Sequence, residues 1–266
     1  MPELPEVETI VRELRPRLTG DRMRSIEALW HRSLCGDPRE VNRGIRGRRI
    51  MELFRRGKYI CLDLEGPRLT IHLRMSGRLL FITSPAEECH IRARLNFHES
   101  PGLALVDPRK FGRIRLWHEA EPFLPDLGPD PLDAETVCNV LAGVISRRAV
   151  KTVLLDQKVL AGIGNIYADE SLFTARVHPL TPAGDLDNNQ RVRLAAAVSR
   201  VLREAIRRRG TTLSDYRDPD SRNGGFQHQL KVYQCTGRPC PVCGTTISRI
   251  VVGQRGTHFC PRCQKK

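Results

Sequence analysis

Val7, Ile10, Val11, Leu14 and Leu18 recur at three- and four-residue intervals, with Glu and Arg between them. This period predicts an amphipathic helix near the start of the chain, one face against a core. From about Arg48 to Trp117 the period drops to two. Ile60, Leu62 and Leu64 alternate with Cys61 and Asp63; Leu69, Ile71 and Leu73 follow the turn-prone Glu65-Gly66-Pro67; Ile91, Ala93, Leu95 and Phe97 alternate with Arg92, Arg94 and Asn96. Short strands with turns between them predict an antiparallel β-sandwich or barrel. Pro122, Pro125, Pro129 and Pro131 then break the pattern and mark a linker. Beyond it the spacing is helical again. Asp133 is placed to cap a helix running to about Arg147, and Leu194, Val198, Val201, Leu202 and Ala205 mark a longer helix closed by Arg207-Arg208-Arg209-Gly210. Residues 211–233 are polar and glycine-containing, the composition of a long mobile loop. The fold class is α+β.

The 266 residues suffice for two domains, and they carry 44 Lys and Arg against 30 Asp and Glu, a net charge of +14. An excess of that size implies a polyanionic partner. Nucleic acid is favoured over a membrane, because no apolar run is long enough to span a bilayer and no basic helix has an aromatic face. Glu3, Glu6, Glu8 and Glu13 near the start exclude an ordinary signal peptide. Nine cysteines without such a signal point to a reduced compartment rather than a disulfide framework.

Four of those cysteines form a pattern. Cys240-Pro-Val-Cys243 and Cys260-Pro-Arg-Cys263 are two Cys-x-x-Cys knuckles, each setting two thiolates on one side. Together they complete a tetrahedral four-sulfur site suited to one zinc ion, structural because protein fills every position. Thr245–Val252 and Thr257–Phe259 read as a hairpin with Gly253-Gln254-Arg255-Gly256 at its tip, where Arg255 is either a solvated charge or a probe for phosphate. Cys35, Cys61, Cys89, Cys138 and Cys235 read as ordinary thiols.

Chemistry is also possible at the opening Met1-Pro2-Glu3. Removal of Met1 would leave Pro2 as a secondary amine, partly neutral near pH 7, able to form a covalent iminium with a carbonyl-like carbon. Glu3 is one residue away to move protons. The same residues also suit a plain helix start, with prolines and acids at the positive end of the dipole. Three further segments carry open alternatives. Gly162-Ile-Gly164-Asn165 lacks a third glycine and reads as a tight turn between helices, whose second helix start, with Asn165, can hold a phosphate. Arg147, Arg148 and Lys151 lie nearby in sequence. In Asp107-Pro108-Arg109-Lys110-Phe111-Gly112, Arg109 can hydrogen-bond and Phe111 can wedge in the gap left by a flipped base, while for Phe111 and for Met75, a flexible apolar filler, plain core packing is the alternative.

Taken together, these segments closely resemble the bacterial formamidopyrimidine-DNA glycosylase family. Residues 1–9 resemble its amino terminus, Arg56-Gly57-Lys58-Tyr59 its lysine-bearing hairpin, and 107–112 its intercalation loop. Residues 155–179 resemble its helix–two-turn–helix, Gly210-Thr211-Thr212-Leu213 the start of its lesion-capping loop, and the four cysteines its zinc finger. The resemblance implies an N-terminal catalytic β-sandwich domain with a leading helix over 1–121, a linker over 122–131, a helical DNA-binding domain with the capping loop over 132–233, and a β-hairpin zinc finger over 234–266. It implies a monomeric, cytoplasmic, nucleoid-associated enzyme that removes oxidised purines from duplex DNA in base excision repair. Pro2 would attack C1′ with Glu3 as acid and base, Lys58 and Arg255 would assist the first and second eliminations, and Met75, Arg109 and Phe111 would fill the gap. His90, Arg109, Arg147, Lys151 and Asn165 are the implied DNA contacts, and Cys240, Cys243, Cys260 and Cys263 the zinc ligands. Glu88-Cys89-His90 departs from the family's usual two-histidine stretch, Arg74 stands where glycine is frequent, and Cys235 is unusual just before the finger. Two rivals remain: the sister endonuclease VIII family, which prefers oxidised pyrimidines, and a non-catalytic zinc-ribbon nucleic-acid binder.

Overall fold

The structure, a computed structural model, describes residues 1–82 and 89–266; Glu88 lies outside the described residues. The chain divides into two compact units, Met1–Pro125 with Arg208–Gly225, and Asp126–Arg207 with Phe226–Lys266.

The first unit begins with helix α1, Leu4–Leu18, whose Val7, Ile10, Val11, Leu14 and Leu18 are all buried. Glu3 and Glu6 form a capping box at its start, and Pro5 occupies the first turn, where a missing N–H costs nothing. Two sheets follow. Strand β1, Met23–Ala28, is the edge of a four-stranded antiparallel sheet. A short strand β2, Leu34–Cys35, and helix α2, Pro38–Ile45, come next. The hairpin of β3, Glu52–Arg56, and β4, Tyr59–Asp63, leads to β5, Arg68–His72, after the Glu65-Gly66-Pro67 turn. Strands β6, Arg78–Phe81, β7, Ile91–Phe97, and β8, Leu103–Val106, complete the first sheet in the order β1-β7-β8-β6. Strand β9, Arg113–Trp117, joins the second sheet, ordered β2-β9-β5-β4-β3. The strands pair antiparallel as expected, with one departure, β2 parallel to β9 over two residues, and the alternation is incomplete because Cys61 is buried along with Ile60 and Leu62.

Leu53, Ile60, Leu62, Leu69, Ile71 and Ile114 from one sheet share a single core with Met23, Ile26, Leu79, Leu95 and Leu105 from the other and with α1. Each such side chain contributes about 1.5–3 kcal/mol of apolar burial, which fixes α1 against the sheets and so fixes the residues in front of it. Arg15 Nε also donates to the Leu53 carbonyl at 2.8 Å, tying α1 to β3.

Helix α3 of the second unit, Ala134–Ala142, is capped by Asp133, whose carboxylate accepts the Thr136 N–H at 2.7 Å. It stops at Gly143 rather than running to Arg147, because the Gly143 N–H closes on the Asn139 and Val140 carbonyls at 3.2 Å. A six-residue helix α4, Val150–Leu155, follows, then α5, Asn165–Ala175, and the long α6, Asn188–Arg207. The finger hairpin consists of β10, Ser248–Val252, and β11, Arg255–Phe259. No helix among the described residues is long and apolar enough to cross a membrane.

Residues 208–225 differ from the expectation of a mobile loop. Tyr216 is buried in the first unit's core, Thr211 N–H donates to Glu6 Oε1 at 2.7 Å, and Gly225 N–H closes on the Arg208 carbonyl at 2.8 Å. The segment folds so tightly that a Cβ at Gly224 would lie 2.2 Å from the Gly210 carbonyl oxygen. Gly224→Ala should therefore destabilise the protein by roughly 1–3 kcal/mol. At Gly143 the nearest atom to such a Cβ is 3.6 Å away, so Gly143→Ala should be close to neutral. Denaturant midpoints of the two variants give the comparison, and equal midpoints would show that the segment is not packed this way.

Candidate active site and metal centre

In the first unit, Pro2 and Glu3 are buried directly ahead of α1, while Met1 is exposed. Glu6, one turn in, accepts the Glu3 N–H at 2.7 Å with Oε2 and the Thr211 N–H with Oε1. A Cβ at Gly210 would meet Glu6 Oε1 at 2.7 Å, and Gly210 takes φ +80°, so this position requires glycine. The main chain around Pro2 is thus held from two sides.

Lys58 sits in the two-residue turn between β3 and β4 and is buried. The turn is braced from α1: Glu8 pairs with Arg55 at 3.0 Å, and Arg55 Nη1 donates to the Gly57 carbonyl at 3.1 Å. Burial pushes the Glu8 carboxyl up, but Arg12 and Arg55 outweigh it and hold the group below its usual range. His72, whose ring lies 4.6 Å from Tyr59, is driven down to about 3 by burial, then by the Arg74 and Lys58 charges. It is a neutral neighbour of the Lys58 turn.

Met75 and Phe111 are exposed on two turns joined by one buried carboxylate. Asp107 accepts Ser76 Oγ at 2.6 Å from the Met75 turn, and the N–H groups of Arg109, Phe111 and Gly112 at 3.2, 2.6 and 2.7 Å from its own. The Arg109 guanidinium lies 5.4 Å from the Phe111 ring centroid. His90 is exposed, takes φ +77°, and its carbonyl accepts the Asp107 N–H at 3.0 Å. Met75, His90, Arg109 and Phe111 are thereby gathered around Asp107, which the sequence reading did not single out. An aspartate in an Asp-Pro turn was the available signal.

In the second unit, Gln157 braces the turn before α5, donating to the Leu155 and Ile163 carbonyls at 2.9 Å and accepting the Gly162 N–H at 2.8 Å. Asn165 opens α5, and its Nδ2 donates to the Gly256 carbonyl at 3.0 Å. Lys151, expected as a DNA contact, has a fully buried side chain, its Nζ lying 2.6 Å from Asp169, 2.7 Å from Thr257 Oγ1 and 3.0 Å from the same Gly256 carbonyl. Asp169 also accepts the His258 N–H at 2.9 Å. These bonds fix β11 on α4 and α5. Arg255 is its first residue, paired with Val252, so the turn is Gly253-Gln254 rather than four residues. Arg255 and Arg147 are exposed.

The Sγ atoms of Cys240, Cys243, Cys260 and Cys263 all lie within 4.8 Å of one another. Cys240–Cys263 and Cys243–Cys260 are 3.9 and 3.4 Å apart. A tetrahedron with Zn–S bonds of about 2.3 Å has edges of about 3.8 Å, so the four sulfurs fit one zinc. The Val242 and Cys263 N–H groups point at Cys240 and Cys260 sulfurs at 3.4 Å, orienting the ligands as metal sites require. Cys235 stays outside this cluster, its thiol on the Tyr233 carbonyl at 3.5 Å.

Comparison with known proteins follows the same segments. Residues 1–114 match the family model of the formamidopyrimidine-DNA glycosylase N-terminal domain, 127–217 that of its H2TH domain, and 237–266 the zinc finger found in FPG and IleRS. The chain is 44% identical over 274 residues to a formamidopyrimidine-DNA glycosylase from Symbiobacterium thermophilum, covering 99% of this chain and 89% of the relative. Its structure is similar to crystalline MutM (FPG) from Thermus thermophilus, with a TM-score of 0.87, 41% identity, and 100% and 99% of the two chains covered. It is also similar to a Lactococcus lactis FPG mutant in complex with a Fapy-dG containing DNA, with a TM-score of 0.88, 36% identity and both chains fully covered.

Stripping the metal with a strong chelator should release one zinc per chain and collapse the β10–β11 amide signals while leaving those of β4 and β5 intact; an unchanged hairpin would refute the structural role. Asp107→Asn puts an N–H₂ or a lost acceptor where Phe111 and Gly112 donate, so it should cost about 1–3 kcal/mol in a denaturant melt. Ser76→Ala, which removes one bond, should cost about 1 kcal/mol or less.

Proposed function

The chain belongs to the formamidopyrimidine-DNA glycosylase family, and from that premise we propose that it is a bifunctional glycosylase and AP lyase acting on oxidised purines in duplex DNA. It is a DNA glycosylase of base excision repair with a structural zinc finger. The observation that carries the finer reading is the buried Pro2-Glu3 start, fixed by Glu6 ahead of α1.

With Met1 removed, the Pro2 amine attacks C1′ of an extruded nucleotide. The C1′–N9 bond breaks and the base leaves with its electron pair and takes a proton; the amine then gives up its own proton, and the C1′–O4′ bond opens as Glu3 carries a proton to O4′. The resulting iminium acidifies C2′, whose proton is lost as the C3′–O bond breaks; a second elimination breaks the C5′–O bond. Lys58, buried in its braced turn, is the proposed proton donor in the first elimination, and Arg255, beside the hairpin turn, in the second. Met75, Arg109 and Phe111 fill the vacated space, supported by their grouping around Asp107. His90, Arg109, Arg147 and Asn165 take the proposed DNA contacts. Lys151 serves them indirectly, by holding Gly256 and so the partner of Asn165. The zinc ion, when bound, supplies the cross-link that shapes the finger, and no chemical step.

Incubation with a duplex carrying 8-oxoguanine opposite cytosine, followed by borohydride, should give a covalent protein–DNA adduct that mass spectrometry maps to Pro2. An oxidised pyrimidine in the same duplex should trap more slowly. Tight binding without any adduct, from protein shown to lack Met1, would instead support a non-catalytic binder.

A further inference from the structure

We infer that the groove between α2 and β1 is a second binding site for the phosphate backbone of duplex DNA, and that it takes a different duplex segment from the one proposed to meet the turns around Asp107. The inference goes beyond the glycosylase reading, and its test needs no base release.

Helix α2 lies along the open edge of β1, where Asn42 takes the place of a neighbouring strand. Its Oδ1 accepts the Ile26 N–H at 2.7 Å, and its Nδ2 donates to the Ile26 carbonyl at 2.9 Å. Val41 and Ile45 are buried beneath the helix. The face left outward carries Arg39, Asn42, Arg43 and Arg46, which line a groove with Ser25 and Asn96. Arg24 lines an adjoining depression that shares Ser25 and Asn96. All four arginines are exposed, and none of their guanidiniums has a hydrogen-bond or ion-pair partner among the described residues. Other arginines of this unit are matched with acids, as Arg17 is with Asp220, Arg68 with Asp63 and Arg115 with Glu121. Beside the groove the acids are already engaged: Glu27 pairs with Arg94 at 3.4 Å, and Asp37 accepts the Arg39 N–H at 2.9 Å.

Arg39, Arg43 and Arg46 are spaced by four and three residues, so like charges stand one helical turn apart and cost the helix stability unless an anion lies between them. Over seven residues the row rises about 10 Å, close to three base steps of duplex at about 3.4 Å each. A phosphate backbone supplies charge at that interval, with no demand on sequence. The row also points away from the turns proposed to meet the lesion. Met75, His90 and Asp107 stand at strand ends, just before β6, before β7 and after β8. By contrast α2 returns along β1, with Asn42 at Ile26 and Gly47 at Met23, so its arginines follow the strand direction. Asn96, in the groove, is six residues from His90 along β7, about 20 Å. A duplex laid across the strand ends does not run along this row, which is therefore assigned to a second segment. A chain that holds two segments at once can pass from one to the other without full release.

The test uses the zinc-loaded full chain and two short duplexes with different dyes. The first, with a tetrahydrofuran in place of one nucleotide, occupies the lesion site without reacting; the second is undamaged. Wild type should carry both dyes on one chain, read as two-colour co-diffusion and as a sedimentation mass of one protein with two duplexes. With Arg39→Gln, Arg43→Gln and Arg46→Gln combined, affinity for the second duplex should fall about tenfold or more at low salt. The salt slope of that step should become shallower by about 2–3, one phosphate for each guanidinium. Affinity for the first duplex should stay within about twofold of wild type. Because these guanidiniums hold nothing in the fold, the variant should unfold at the same denaturant midpoint or a higher one. The inference is overturned if wild type holds only one duplex, or holds two only as a protein dimer. It is equally overturned if the variant keeps the second duplex, if both affinities fall together, or if a lower midpoint shows that the row serves the fold.

Discussion

Glu6 is 1% exposed and gives one carboxylate oxygen to the Glu3 N–H and the other to the Thr211 N–H, both at 2.7 Å. A carboxylate kept from water must have strong partners, and here the partners are main-chain groups at the two ends of the first unit's sequence. The terminus proposed to react cannot place itself. Proline offers no side-chain hydrogen bond, and a chain end frays unless something ties it down. Its position is set instead by the next N–H along, by the Glu3–Glu6 capping box, and by the apolar face of α1 in the core. Shift Glu6, and both the terminus and the segment beginning at Gly210 lose their common reference.

The same device recurs wherever an irregular segment has to hold a shape. Asp107 collects three N–H groups and a hydroxyl, and Glu170 collects the N–H groups of Lys231, Val232 and Tyr233 between 2.9 and 3.1 Å. Asp169 joins Lys151 to the His258 main chain. The electrostatic balance differs among them. Burial pushes the Glu170 carboxyl up, and the three amides of 231–233 only partly oppose it, with Asp169 adding a like charge. Lys151 pairs with Asp169, the neighbour of Glu170 on α5. This explains a fully buried lysine in a family of DNA-binding proteins: its cost in desolvation is offset locally, inside the second unit.

Much of this was legible in the residues. The three- and four-residue spacing of Val7 to Leu18 gave α1, the alternation around Ile60, Leu69 and Ile91 gave the strands, and the two Cys-x-x-Cys pairs gave the four-sulfur cluster. What escaped was either too short or too distant. Helix α4 has six residues, less than two turns, so no period emerges. The end of α3 at Ala142 was set by a single glycine cap. The order of 208–225 depends on Arg17 meeting Asp220 across 203 positions and Thr211 meeting Glu6 across 205. A local polar composition says loop, and only long-range carboxylate–arginine pairing says that the loop is packed. The burial of Lys151 escaped for the same reason, since Asp169, Gly256 and Thr257 are far from it in sequence.

A division of labour emerges from where rigidity is placed. The side chains proposed to meet DNA are largely free at their tips: Met75 is 41% and Phe111 45% exposed, and Arg109, Arg147 and Arg255 are exposed as well. The backbones that carry the turn residues are the opposite, pinned by buried acceptors such as Asp107 and the Gly256 carbonyl. An enzyme that must test many base pairs before reacting at one gains from this arrangement. Its probes can adjust rotamers against a passing duplex, while their points of attachment stay fixed relative to the terminus or the finger that each unit carries. The carboxylates achieve this without adding negative charge to a surface that has to meet phosphates, because their charges are buried against N–H groups and arginines. Glu6, Asp107, Asp169 and Glu170 are turned in, so these four acids do not offset the net +14 at the surface around the probes.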